Sequence, residues 1–182
     1  MKRFYAKIKF TADYLQARMG ESSKKQISKT VKKSGAEEPI KANDPADLMY
    51  KDKKGCYIPA DQLIGALINS GKDFKIKARR VSYKEFVRAK IFVTPDKIYM
   101  GKNNYDSTLL SYPKRKDGSR VPLIHPVFTK GLEVDFYIEC LDETGIDFET
   151  LHELVKNAGA SYGLGGRHPR WGRFEVLEFK EN

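Results

Sequence analysis

Residues 158–173 read AGASYGLGGRHPRWGR and run directly into FEVLEF at residues 174–179. Five glycines, three arginines, a histidine, a tryptophan and a tyrosine fall within these sixteen residues, between a helix pattern and a strand pattern. Glycine lets a backbone approach a ligand closely and adopt positive φ, while arginines supply forked donors and aromatic rings supply stacking faces. This mixture predicts a loop that binds the phosphates and bases of a nucleic acid. The alternative is a helix-to-strand connection whose glycines only allow turns.

Alternating apolar and polar residues predict the strands that accompany this loop. Residues 3–10 alternate strictly, which is typical of a strand with one buried face and one basic face. The same alternation predicts strands at 85–93 and 132–141, with a weaker one at 75–78. The strand at 132–141 is acidic on its outward side, so we expect it to lie away from the nucleic acid.

Two stretches have the periodicity of amphipathic helices. Residues 61–69 follow Pro59, which suits a helix start, and contain Gly65, where we expect close packing on a sheet. Asp147 predicts the N-cap of a second helix at 148–158. Each helix therefore connects two strands.

Without the long segments between them, the elements follow the order βαββαβ. This is the order of ferredoxin-like and RNA-recognition (RRM-like) folds, which are α+β folds with an antiparallel sheet. Two helices would cover one face of the sheet and leave the other free for a ligand. We predict a single domain over residues 1–182, with insertions at about 11–57 and 94–126.

Both insertions are rich in basic residues. The first contains a short helix pattern at 13–19 and a lysine cluster at 24–33. It predicts either a solvated insertion or a basic arm that becomes ordered on RNA. In the second, an Asp-Gly pair within 112–121 predicts a thumb-like hairpin with a cationic tip, the alternative being an ordinary solvated turn.

The composition favours an anionic partner. Thirty-four Lys and Arg against 24 Asp and Glu give a net charge of +10, which leaves RNA, DNA and an anionic membrane as candidates. No apolar run is long enough to span a bilayer and no signal-peptide pattern precedes the first strand, so we expect a cytoplasmic protein without a membrane partner. Cys56 and Cys140 are too few and too far apart for a zinc site, and we expect buried thiols, no bound metal and no cofactor.

The predicted RNA-binding residues belong to four basic surfaces. These are the outward sides of the strands at 3–10 and 85–93, the hairpin at 112–121 and the loop at 163–173. The residues are Lys7, Lys9, Arg88, Lys90, Lys114, Arg115, Lys116, Arg120, Gly163, Gly165, Gly166, Arg167, His168, Arg170, Trp171 and Arg173.

Two segments resemble a known superfamily. Residues 43–45 (NDP) and 51–67 (KDKKGCYIPADQLIGAL) resemble the Asp-Asn-Pro and Asp-x-x-Gly-x-Pro-Tyr-Ile-Pro-Gly-Ser-Ser-Leu-Lys-Gly motifs of the RAMP proteins, the repeat-associated superfamily that builds CRISPR effector complexes. Residues 163–174 are similar to the C-terminal glycine-rich loop of that superfamily. The closest likeness is to the RNA-binding backbone subunits of type III complexes. The Gly-Ser-Ser of the motif is replaced here by residues 60–62, which add a negative charge.

The resemblance implies a ferredoxin-like palm with an extended thumb, and copies that polymerise along a single-stranded guide RNA. It further implies pairing of the guide with a target RNA or DNA, other effector subunits as partners, and a role in antiviral defence. In the family, the aspartate of Asp-Asn-Pro supports metal-dependent cleavage, whereas here Asn43 stands at that position, with Asp44 beside it. We therefore expect no efficient cleavage, and Asp44 is the catalytic candidate only if the loop is shifted by one residue. The chain is short for the family, which favours a minimal or phage-encoded relative.

Two other functions fit the sequence. Some RAMP proteins are metal-independent endoribonucleases that mature guide RNA, and His125 or His168 would then act as general acid or base. The other alternative is a basic structural module, such as a phage assembly protein, that shares only the fold.

Overall fold

The computed structural model describes residues 1–18, 42–76, 80–114, 118, 120–141 and 145–182. The strands are β1 (Lys2–Phe10), β2 (Tyr14–Leu15), β3 (Lys51–Asp52), β4 (Gly55–Pro59), β5 (Ile91–Thr94), β6 (Lys97–Tyr99), β7 (Ser107–Ser111), β8 (Leu123–Phe128), β9 (Glu133–Cys140) and β10 (Phe174–Glu181). The helices are α1 (Ala60–Ser70), α2 (Lys84–Lys90) and α3 (Phe148–Asn157), with a 3-10 turn at Pro45–Leu48 and a π-helical turn at Ala158–Tyr162.

A four-stranded antiparallel sheet forms the centre of the protein, in the order β10-β1-β9-β5. If the four strands are numbered along the chain, this order is 4-1-3-2. Helices α1 and α2 lie between the first and the second of them along the chain, and α3 lies between the third and the fourth. The arrangement is the βαββαβ topology of the ferredoxin-like folds, so the predicted α+β class is confirmed.

The core lies between one face of this sheet and the helices. The inward side chains of β1, from Phe4 to Phe10, are buried as the alternation predicts. The rings of Phe4 and Phe179 stack with centroids 5.8 Å apart, which joins β1 to β10 within the core. Asp147 caps α3 by accepting a hydrogen bond from the Thr150 amide at 2.7 Å, which confirms the predicted start of that helix.

Two smaller sheets are built from the inserted segments. One has the order β2-β8-β7 and the other the order β3-β4-β6. Gln16, which is fully buried, connects them because its side chain donates to the Tyr57 carbonyl at 2.8 Å and accepts from the Tyr50 amide at 2.7 Å. The described parts of both insertions thus pack as ordered strands beside the central sheet.

The predicted strand at 85–93 is wrong over its first part, which forms helix α2. Strand β5 begins only at Ile91. The apolar residues of this segment fit both periods, because Tyr83, Val87 and Ile91 are buried and lie four residues apart. The predicted positions of Arg88 and Lys90 on a sheet face are therefore wrong, and both lie in the last turn of α2.

Three other predicted features lie in segments that the structure describes only in part or not at all. The helix predicted at 13–19 is wrong where the structure describes it, because Tyr14 and Leu15 pair with β8 instead. In the strand predicted at 75–78, Lys75 forms a single bridge with Ser82, and residues 77–79 lie outside the described part of the chain. The lysine cluster at 24–33 lies outside it as well.

The predicted close packing of Gly65 on a sheet is wrong. A Cβ atom built at Gly65 would meet no other atom within 4 Å. This glycine therefore faces open space from the middle of α1. Over the part of the chain that the structure describes, no helix is both long and apolar enough to cross a membrane.

Candidate nucleic-acid interface

The glycine-rich loop is fixed to the rest of the protein through its own backbone. The Gly166 amide donates to the Leu15 carbonyl at 2.8 Å, and the Gly172 amide donates to the Asp13 carbonyl at the same distance. Within the loop, the Leu164 amide donates to the Gly172 carbonyl at 2.9 Å. These three amide groups donate to the protein's own carbonyls, so they are not available to bind a phosphate.

Two of the glycines are required by close packing. Gly165 and Gly172 have φ values of +78° and +72°, in the region that favours glycine. A Cβ at Gly165 would collide with the carbonyl oxygen of Leu15, and one at Gly172 would collide with that of Leu164. Gly165 therefore allows the loop to lie against β2, and Gly172 allows the loop backbone to close on Leu164.

The basic side chains of the loop point away from this packed base. Arg167, His168, Arg170 and Arg173 are exposed, and Trp171 is half-buried. We call the five residues Arg167, His168, Arg170, Trp171 and Arg173 the loop tip. Arg167 has a φ of +59° and is the one non-glycine residue with positive φ in the described chain. Such strain persists where the surrounding structure enforces it and is concentrated at functional sites.

The outer face of the central sheet has little net charge. Lys7 of β1 pairs with Glu133 of the neighbouring β9 at 2.8 Å, and this hydrogen-bonded carboxylate raises the pKa of Lys7. The strand order therefore places the acidic strand β9 directly beside the basic strand β1. By the strand register, four cations share this face with five carboxylates: Arg3, Lys7, Lys9 and Lys180 against Glu133, Asp135, Glu139, Glu175 and Glu178.

The hairpin predicted at 112–121 is described only in part. Lys114 and Arg120 form an antiparallel bridge, and both are exposed. Gly118 has a φ of +88°, as an Asp-Gly turn requires. Arg115 and Lys116 lie outside the described residues.

The two histidines considered for catalysis have different surroundings. His125 on β8 is only 5% exposed, and its Nδ1 atom has no hydrogen-bond partner. Burial lowers the pKa of His125, and the positive charge of Arg167 acts in the same direction. His168 is exposed on the loop tip.

The segment that resembles the family's metal-binding motif is engaged in structural contacts. The Asn43 side chain donates to the Ile124 carbonyl at 3.0 Å and accepts from the Ile124 amide at 2.8 Å. Asp44 is exposed and caps the 3-10 turn by accepting from the Ala46 amide at 2.9 Å. No group of three or more His, Cys, Asp or Glu side chains in the described residues could hold a metal ion.

A cluster of three tyrosines on the β3-β4-β6 sheet was not expected from the sequence. The ring of Tyr57 lies 5.9 Å from that of Tyr50 and 6.0 Å from that of Tyr99, between centroids. The ammonium group of Lys97 lies 4.9 Å from the centre of the Tyr57 ring. Lys97 also donates to Asp52 at 2.7 Å, and this hydrogen bond lowers the pKa of Asp52 to about 2. Only the pairing of β4 with β6 brings Tyr99 to this cluster.

Comparisons with known proteins agree with the fold. The chain is similar to a subunit in a cryo-EM structure of the type III-B Cmr-beta complex bound to cognate target RNA, with a TM-score of 0.52 and 16% identity over 99% of this chain. It spans 60% of the length of that subunit. The likeness to subunits of CRISPR complexes that the sequence predicts is thus confirmed at the level of the fold.

Two other similarities are weaker, with TM-scores below 0.5. A CRISPR protein from Archaeoglobus fulgidus has a TM-score of 0.43 and 12% identity over 100% of this chain and 64% of its own. A chain of a type IV-B CRISPR complex has a TM-score of 0.43 and 11% identity over 99% of this chain and 90% of its own. No family model matches the sequence, and no curated protein matches it significantly.

Proposed function

We propose that the protein binds single-stranded RNA as a backbone subunit of an RNA-guided ribonucleoprotein. The observation that carries this proposal is the loop tip, where Arg167, Arg170 and Arg173 are exposed on a loop whose glycines pack closely against neighbouring backbone. Because the loop is already packed against β2, little of its ordering remains to be done when RNA binds. The guanidinium groups of the loop tip form no hydrogen bond or ion pair with the other described residues, so they can contact successive phosphates.

The charge distribution makes the loop tip the first choice among the predicted basic surfaces. On the outer sheet face, Lys7 and Lys9 have carboxylates on both sides, which reduce the attraction of that face for phosphate. On α2, Arg88 forms an ion pair with Glu85 at 3.0 Å. In the proposed complex, these residues contribute less to RNA binding than the loop tip does.

The tyrosine cluster provides stacking surfaces beside the loop. Tyr50 and Tyr57 are half-buried and Tyr99 is 37% exposed, so parts of their rings are accessible. Gln16 contacts the backbone of Tyr50 and Tyr57, and Gln16 directly follows the Leu15 that anchors Gly166. Stacking on aromatic rings binds bases with little regard to their sequence.

The fold likeness supports the wider role. The type III-B complex to which this chain is similar was solved with cognate target RNA. By analogy, copies of the protein would line up along a guide RNA, together with other effector subunits, and present the guide for pairing with a target RNA or DNA. The protein would bind a guide RNA in the same way in a host complex and in a phage-encoded complex.

The proposed role is that of a binding subunit without its own cleavage activity. Asn43 uses both ends of its carboxamide on the backbone of Ile124, and a neutral amide oxygen attracts a divalent ion weakly. Asp44 is committed to capping a turn. Of the two histidines considered for metal-independent cleavage, His125 is buried away from any substrate.

The test is the salt dependence of single-stranded RNA binding, measured by fluorescence anisotropy. Replacing Arg167 and Arg170 together by alanine should weaken binding and reduce the slope of log K against log salt by about 1.4, at ~0.7 for each lost phosphate contact. The double variant Lys7→Ala/Lys9→Ala removes the same charge and should change the slope much less. An Arg167→Ala/Arg170→Ala protein with unchanged affinity and slope would rule out the loop tip as the RNA site.

A further inference from the structure

A cleft lies between α1 and the glycine-rich loop, next to the loop tip. It has a volume of about 180 Å³. Its lining contains a carboxylate, two carboxamides, a phenol, an imidazole and glycine backbone, but neither lysine nor arginine from the described chain. The lining residues are Asp61, Gln62, Gly65, Ala66, Asn69, Tyr162, Gly163, Leu164, Gly165 and His168.

Gly65 keeps the α1 wall of this cleft open. A glycine within a helix costs about 1 kcal/mol relative to alanine. No packing contact accounts for it here, because a Cβ at Gly65 would meet nothing within 4 Å. The sequence therefore retains a destabilising residue at the point where any side chain would project into the cleft.

Several of the hydrogen-bonding groups that line the cleft are already engaged within the protein. Tyr14 donates to Gln62 Oε1 at 2.9 Å, and Lys72 donates to Asn69 Oδ1 at 2.6 Å, so both carboxamide oxygens are engaged. Tyr162 donates its hydroxyl hydrogen to Asp73 at 2.8 Å. The carboxylate of Asp61, which is exposed in the first turn of α1, is the strong acceptor that remains.

The lining of the cleft has the Asp61 carboxylate and neither lysine nor arginine from the described chain, so it favours a ligand with hydrogen-bond donors over a phosphate. A carboxylate instead accepts hydrogen bonds from the ring N–H and amino groups of a base, as acidic side chains do when they read base edges. Guanine presents two neighbouring donors, N1–H and the N2 amino group, on one edge, and these match the two oxygens of a carboxylate. Tyr162 and His168 add aromatic rings to the same cleft.

We propose that the cleft binds a guanine base that is turned out of the RNA strand, with Asp61 as the specificity-determining residue. This inference rests on the proposed function, because the adjacent loop tip would hold the phosphates on either side of that base. The protein would then bind RNA of any sequence through phosphates and favour a guanine at one position of each binding site.

The test compares short uridine tracts that carry one central guanosine, adenosine or cytidine with an all-uridine tract, by fluorescence anisotropy. The wild-type protein should bind the guanosine-containing tract roughly 5- to 150-fold more tightly than the all-uridine tract, as expected for one bidentate contact to a base. Inosine, which lacks the N2 amino group, should lose part of this preference. The preference ratio is the readout, because it is independent of overall charge.

Two variants change the α1 wall of the cleft and leave the residues of the loop tip unaltered. Asp61→Asn keeps the size of an exposed side chain and should abolish the preference, while affinity for the all-uridine tract stays equal or rises. Gly65→Leu fills the cleft and should abolish the preference too, with circular dichroism confirming that the helix content is retained.

The outcomes separate this inference from the proposed function. Binding of all tracts with equal affinity would overturn the guanine site and leave the RNA-binding function in place. A preference for adenosine or cytidine, or a guanosine preference that survives in both variants, would overturn the assignment to Asp61. Absence of RNA binding would overturn both.

Discussion

Replacing Gly172 by alanine should destabilise the protein, because the base of the glycine-rich loop depends on this residue. An L-residue in the left-handed region costs about 1–2 kcal/mol, and Gly172 has a φ of +72°. The new methyl group would also collide with the Leu164 carbonyl, so the turn must open. Opening removes the hydrogen bonds of Gly172 to Leu164 and to Asp13, each of which contributes about 1 kcal/mol. The expected loss in unfolding free energy is about 3–4 kcal/mol.

Gly101→Ala is the matched control. Gly101 has a φ of +66°, and a Cβ there would meet nothing within 4 Å. It should therefore lose only the backbone part, about 1–2 kcal/mol. Urea unfolding followed by circular dichroism, with equal m-values, gives the difference between the two variants. If Gly172→Ala is no less stable than Gly101→Ala, the packed base of the loop has been described wrongly.

Three further predictions concern other parts of the chain. Asn43→Asp should lower stability by about 1–3 kcal/mol, because a carboxylate would face the Ile124 carbonyl instead of donating to it; an unchanged urea midpoint would contradict this. Burial lowers the pKa of His125 in the folded protein, so as the pH falls the unfolded chain takes up a proton on this histidine before the folded chain does. Stability should therefore fall as the pH decreases from 7 to 5, by up to about 1.4 kcal/mol per pH unit, and this slope should disappear in His125→Gln; equal slopes would refute it. Tyr99→Ala should weaken single-stranded RNA binding by about 1–3 kcal/mol, whereas Tyr99→Phe should retain it; equal losses would exclude stacking on this ring.

The parts of the fold that local patterns determine could be predicted from the sequence. Strand β1 follows from its strict alternation, and α3 follows from its apolar stripe and the Asp147 cap. Over 85–90, the spacing of Tyr83, Val87 and Ile91 fits a buried helix face as well as a strand, so the local pattern alone could not choose. At Tyr14 the local pattern predicts a helix, but pairing with the distant strand β8 makes this residue part of a strand.

The candidate site could be predicted only in part, because its chemistry depends on neighbours distant in sequence. The residues of the loop tip were recognised from composition, but the pairing of its glycine amides with Asp13 and Leu15 was not visible there. The charge of the outer sheet face depends on strand order, which places Glu133 next to Lys7. Gly65 was interpreted as a packing residue, and only the open space beside it indicates the cleft.

The central claim is that several copies of the protein assemble along one RNA strand. Mass photometry of the purified protein with single-stranded RNAs of one, two, four and six binding-site lengths tests it most directly. Our account predicts a ladder of complexes whose largest member grows by one copy for each added site length. A single bound copy at every RNA length, or no binding, would contradict the account.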